Sequence, residues 1–157
     1  MKTNIMLIDD NKVDLFVSQK VIEKTSMNFN IRSFISSSSA LNFLKILDGE
    51  LSYPTMSIPD IILLDINMPE MNGFQFLSEF KKLKNNKFNN VKIYMLSSST
   101  NFQDIIKIKD ESQILGFINK PLTVENLNQI LINFKPYLKE YDYLSEDVNS
   151  NIFKKTP

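Results

Sequence analysis

Short apolar runs alternate along this chain with stretches in which apolar residues recur every three to four positions. Residues 5–8, Ile-Met-Leu-Ile, form a compact apolar run and predict a first strand. Asn11 can cap a helix after it, with Asp14 in the first turn and Val13, Phe16, Val17 and Val21 as its inward stripe. Residues 30–35 read as a second strand. The serines at 36–39 can cap a second helix with the stripe Ala40, Phe43, Leu44 and Leu47. Residues 49–59 are a long loop with two prolines. A third strand spans 60–64. Asn72, with Gln75 three residues on, then predicts a capping box and a helix with Phe76, Leu77, Phe80 and Leu83 inward. Residues 84–90 read as a polar loop and 91–96 as a fourth strand. Thr100 and Gln103 suggest the cap of a helix carrying Phe102, Ile105 and Ile106. Residues 116–119 form a short fifth strand. Thr123 caps a last helix with Val124, Leu127, Leu131, Phe134 and Leu138 on one face, leaving Ile130 and Ile132 exposed.

Strands alternating with helices imply an α/β fold, (βα)5, with a doubly wound parallel five-stranded sheet. The expected strand order is 2-1-3-4-5, which makes strands 1 and 3 neighbours at the switch point. A chain of 157 residues, 43% hydrophobic and 23% charged, fits one domain. We expect that domain over 1–138, with a loosely ordered tail over 139–157 and no output domain. The tail has little apolar periodicity and is too short for a second core.

Charge and composition narrow the function. Eighteen basic residues balance eighteen acidic ones, so nothing suggests a nucleic-acid partner. No segment reads as a signal peptide or a membrane span, and the absence of cysteine fits a cytoplasmic protein. The chain has no histidine, which excludes a histidine base, a histidine metal ligand or a phosphohistidine of its own.

The chemistry collects just past the strands. Asp9 and Asp10 follow the first, Asp65 the third, Ser97 the fourth and Lys120 the fifth. Singly, each has an ordinary structural reading, such as a helix N-terminal acidic pair or a turn residue. Together they would lie at one end of one sheet, where sites form in open parallel α/β folds. Three carboxylates converging there would repel one another unless a cation neutralised them. Mg2+, an oxygen-liganded ion that keeps several waters, fits best. A carboxylate nucleophile, a divalent ion, an ammonium and a hydroxyl meet the needs of phosphoryl transfer.

In this ordered set the chain resembles the receiver domain of two-component response regulators. The motifs are Asp9-Asp10, Asp65-Ile66-Asn67-Met68-Pro69 with Gly73, Ser97-Ser98, and Phe117-Ile118-Asn119-Lys120-Pro121. The resemblance covers roughly residues 5–138 and implies a flavodoxin-like fold. It implies Asp65 as phospho-acceptor and Mg2+ ligand, Asp10 as a direct ligand, Asp9 acting mainly through metal-bound water, and Asn67 offering its backbone carbonyl. Lys120 would pair with Asp65 and then bond a phosphoryl oxygen. Ser97 would bond another oxygen, and Phe117 would be the aromatic switch that follows Ser97. Ser98 is small, as access to the phosphoryl group requires, and the Lys120–Pro121 bond would be cis. Asn67 and Ser99 flank the path of hydrolytic water and would tune dephosphorylation. Ser97 stands where Thr is commoner, and Phe117 where Tyr is common. A steric rotation of the ring survives that change, whereas a contact through a tyrosine hydroxyl does not.

The implied function is that of a stand-alone response regulator. A sensor histidine kinase or histidine phosphotransfer protein donates to Asp65, and the phosphorylated form signals through protein contact. The implied output face is formed by the fourth helix, fifth strand and fifth helix. The protein would be a monomer or a phosphorylation-dependent dimer, losing phosphate slowly rather than turning over substrates. A phosphorylation-independent binding module is one alternative, although the acidic pair, Asp65 and Lys120 are all present. An aspartyl-nucleophile phosphohydrolase of the haloacid-dehalogenase kind is another. It would need a second Asp two residues after the nucleophile, where this chain has Asn67.

Overall fold

A computed structural model describes residues 2–25, 28–49, 56–98 and 114–134. Five parallel strands form one sheet in the order β2-β1-β3-β4-β5. They are β1 (Thr3–Ile8), β2 (Phe29–Phe34), β3 (Ile61–Asp65), β4 (Lys92–Ser97) and β5 (Ile114–Asn119). All five residues of β3 are buried, as a central strand covered on both faces requires. β2 lies at an edge, and all six of its residues are partly or fully exposed. It begins and ends one residue earlier than the apolar pattern suggests, leaving Ile35 outside the ladder and exposed. β5 starts two residues earlier than expected and has an irregular register against β4 between Ile93 and Tyr94.

The caps follow the sequence. Asn11 Oδ1 accepts from the amides of Val13 and Asp14 and starts α1 (Lys12–Glu23). Ser36 Oγ accepts from the Ser39 amide at the head of α2 (Ser37–Asp48). Asn72 and Gln75 form a reciprocal capping box at α3 (Gly73–Phe80), with both bonds at 2.9 Å. Each such cap satisfies amides that the first turn leaves unpaired, which is worth about 1 kcal/mol.

Alternation along the strands sorts the core. Met6, Ile8, Ile62, Leu64, Ile93 and Met95 meet α2 and α3 through Leu44, Phe76 and Phe80 in one cluster. Ile5, Leu7, Ile61 and Leu63 point to the opposite face and are as deeply buried. α1 packs against β1 and β2. Its inward residues are Leu15, Ser18 and Ile22, not the expected stripe: Val13 and Phe16 are 68% and 61% exposed. The helix carries apolar residues on two sides, so periodicity alone could not choose between them.

The predicted polar loop 84–90 contains a short 3-10 turn, Asn86–Asn90, whose Phe88 is buried edge-on against Phe80. Two compact units divide the chain, Met1–Val124 and Glu125–Pro157. The described part of the second belongs to the C-terminal helix, Val124–Phe134. Leu127, Ile130, Leu131 and Phe134 are its buried residues, while Val124 and Ile132 are exposed. Ile130 thus belongs to the buried face, contrary to expectation. The helix expected from Thr100, Ser99 before it, and Leu138 with the tail lie outside the described residues.

Candidate functional site

The backbone ladders deliver three charged side chains to the carboxyl-terminal end of the sheet. Asp9 follows β1, and its amide donates to the Phe34 carbonyl of β2 at 3.1 Å. Asp65 ends β3 opposite Leu96, and the next amide, Ile66, donates to the Leu96 carbonyl at 3.0 Å. Lys120 follows β5, its amide donates to the Ser97 carbonyl at 2.9 Å, and its peptide bond to Pro121 is cis. Each side chain therefore starts from a point fixed by a neighbouring strand.

These side chains converge. The Lys120 ammonium lies 2.7 Å from Asp9 Oδ2, 2.8 Å from Asp65 Oδ1 and 3.2 Å from Asp14 Oδ2. The Asp9 and Asp65 side chains are almost wholly buried, and that of Lys120 is only 9% exposed. Burial pushes the Asp9 carboxyl above its ordinary range. The Lys120 ammonium, and the Asn11 amide 2.9 Å from Oδ1, pull the other way without cancelling that push. Burial also works against the charge on Lys120. Contact with Asp65 and Asp9 outweighs it, and the ammonium is held above its usual range. The two directions are compatible, because Lys120 has several carboxylates whereas Asp9 shares one cation. The buried Oδ2 of Asp9 has the ammonium close by but no well-aligned hydrogen bond.

Asp9, Asp10 and Asp65 each offer an oxygen, and the three lie within 4.8 Å of one another. Asp10 is exposed, so the cluster opens to solvent on its side. Three carboxylates this close, with an Asp9 oxygen that lacks an aligned hydrogen bond, fit a divalent cation that retains water.

The loop after β3 is shaped around Asp65. The Gly73 amide donates to the Ile66 carbonyl at 2.9 Å. A Cβ at position 73 would stand 2.7 Å from the Asp65 carbonyl oxygen and 2.9 Å from Met95 Cε, so only glycine fits behind the acceptor. Within the same turn Glu70 adopts φ 63°. Asn67 is exposed two residues after Asp65. Ser97 is buried as the last residue of β4, in register with Asn119, and Ser98 is exposed just beyond it. Phe117 stands inside β5 opposite Met95, half-buried against the core cluster and away from the strand tip. The structure thus brings Asp9, Asp10, Asp65 and Lys120 together at the tip and sets Phe117 back in the sheet. It adds Asp14, which the sequence reading treated only as a first-turn acid of α1. Asp14 lies 106 positions from Lys120, a distance that no local pattern spans.

Residues 5–132 match the family model of the response regulator receiver domain. The chain belongs to this family. The chain is similar to part of the sensor histidine kinase CheAY of Helicobacter pylori, 29% identical over 128 residues. That match takes in 81% of this chain but 14% of the kinase, so the chain spans only a small part of that relative. A two-component response regulator from Cytophaga hutchinsonii has a similar structure, with a TM-score of 0.73 and 30% identity, covering 85% of this chain and 97% of that one. The phosphorylated cyanobacterial phytochrome response regulator RcpA is similar at a TM-score of 0.66 and 26% identity, over 87% of this receiver and 94% of that chain. Among the described residues no helix is long and apolar enough to cross a membrane.

Proposed function

We propose that this receiver accepts a phosphoryl group on Asp65 and signals by phosphorylation-dependent contact with another protein. The observation that carries this reading is the buried Lys120 ammonium bridging Asp9 and Asp65 beside a third carboxylate. The donor is a phosphohistidine of a sensor histidine kinase or of a histidine phosphotransfer protein. An Asp65 carboxylate oxygen attacks phosphorus, the bond to the imidazole nitrogen breaks, and its electron pair returns to the ring. Asp65 becomes an acyl phosphate.

Asp9, Asp10, Asp65 and the Asn67 carbonyl would hold Mg2+, which neutralises charge on the transferring oxygens. Lys120 supplies a positive charge on the side of Asp65 and bonds a phosphoryl oxygen. Ser97 bonds another through its hydroxyl, and Ser98 leaves the approach open. Movement of Ser97 is followed by Phe117, which shifts the balance between two surfaces of the protein.

Incubation with acetyl phosphate and Mg2+, followed by intact mass, tests the reading. It predicts a gain of one phosphoryl group that EDTA prevents. Unchanged mass in a folded, Mg2+-binding sample would contradict it and favour a phosphorylation-independent binding module.

A further inference from the structure

We propose that Ser37 is a positioning residue for the loop after β3: its hydroxyl holds Met68 and thereby aims the Asn67 carbonyl at the metal site. The inference rests on the reading of that carbonyl as a Mg2+ ligand. Ser37 is the first residue of α2, and Met68 lies in the loop just past Asp65. Both are buried. The Ser37 hydroxyl donates to Met68 Sδ at 3.6 Å, across 31 positions of sequence.

A buried hydroxyl costs free energy unless it is bonded. Ser37 does not cap α2; the Ser36 hydroxyl does, accepting from the Ser39 amide. The Ser37 hydroxyl is therefore available for a contact outside its own helix. Packing alone would be met by alanine. Methionine has an unbranched side chain with three rotatable bonds and adapts to the space it is given. A hydrogen bond to its sulfur favours one arrangement over the others.

The effect reaches the metal site through a single peptide. The Asn67 carbonyl and the Met68 amide share one planar unit, so holding Met68 limits the directions open to that carbonyl. Pro69 narrows the Met68 backbone further, towards extended conformations. On the other side Ile66 is held twice. Its amide donates to the Leu96 carbonyl at 3.0 Å, and its carbonyl accepts from the Gly73 amide at 2.9 Å. Asn67 itself is exposed. Its carbonyl is thus aimed by two neighbours, one fixed by backbone bonds and the other by Ser37.

Mg2+ demands near-ideal octahedral geometry, whereas Ca2+ accepts irregular coordination. A carbonyl that loses its aim should therefore harm Mg2+ binding more than Ca2+ binding. The test follows amide resonances of the full chain during addition of MgCl2 or CaCl2. A thioether is a weak acceptor, so Ser37→Ala should weaken Mg2+ binding by about two- to threefold and Ca2+ binding by less. Met68→Leu keeps the volume without the acceptor and should do the same. The double variant should bind Mg2+ no more weakly than the weaker single one, because both changes break one contact. Ser18→Ala removes another buried hydroxyl, on α1, and should leave both affinities unaltered. In EDTA the Met68 13Cε resonance should move towards that of a freely rotating methionine in Ser37→Ala and stay in place in Ser18→Ala. Unchanged Mg2+ affinity in Ser37→Ala, an equal loss for both ions, or additive losses in the double variant would overturn the inference while the receiver reading stands. Unaltered protein that binds no Mg2+ would overturn both.

Discussion

The two ends of this sheet use the same residue type in opposite ways. At the amino-terminal end Asp60 stands just before β3. Its Oδ2 accepts from the Asn4 amide at 2.7 Å and from Asn4 Nδ2 at 3.3 Å. Its own amide donates to the Asn4 carbonyl, and its carbonyl accepts from the Lys92 amide. Asn30 Nδ2 extends the network to β2 by donating to Asn4 Oδ1. The carboxylate here joins strands. At the carboxyl-terminal end Asp9 and Asp65 are buried against an ammonium, and an Asp9 oxygen lacks an aligned hydrogen bond. A carboxylate at a strand end thus says little alone. Its partners decide: backbone amides make it a structural tie, whereas other carboxylates around a lysine leave it poised for a cation or an incoming phosphoryl group.

Substitutions should separate the two ends. The largest expected loss of stability comes from Gly73→Ala. Its Cβ must displace the Asp65 carbonyl, so we expect about 1–3 kcal/mol of destabilisation in urea unfolding together with slower phosphorylation. Gly116→Ala is the internal control. A Cβ there would meet only Tyr94 at 3.8 Å, and the change should stay within about 0.5 kcal/mol. Asp60→Ala should cost about 1–2 kcal/mol by leaving the Asn4 amide without its acceptor, with the phosphorylation rate unaltered. A reduced rate would break the separation of the two ends.

The smallest effect is pH-dependent. Asp9 has its pKa raised above 3.8, so the folded protein keeps that proton to higher pH than the unfolded chain does. Its ionisation therefore lowers stability as pH rises above 3.8, and the penalty is absent well below that value. Asp9→Asn in EDTA should raise the urea midpoint at neutral pH, with the gain vanishing on acidification.

Much of this architecture was legible because local chemistry specifies it. Asn11, Ser36 and the Asn72–Gln75 pair announce their helices by hydrogen bonds within three residues. The buried run of β3, Asp9 just past β1 and Asp65 at the tip of β3 lie where apolar patterning marks element ends. What escaped depends on tertiary contact. The inward face of α1 turns on which of two apolar sides meets the sheet. Phe88 sits in a polar stretch and is buried by Phe80. Asp48 accepts from the amides of Lys84 and Asn85, tying the end of α2 to the chain after α3. Asp14 acquires its partner only when β5 is in place beside the site.

The central claim is that Asp65 is the phosphoryl acceptor. The most direct test is to treat the phosphorylated receiver with borohydride, which reduces an acyl phosphate to the alcohol, and to locate homoserine by peptide mass. The account predicts homoserine at position 65 alone, and none in Asp65→Asn. Homoserine at position 9, 10 or 14, or a phosphoryl group on a hydroxyl residue that borohydride leaves intact, would contradict it.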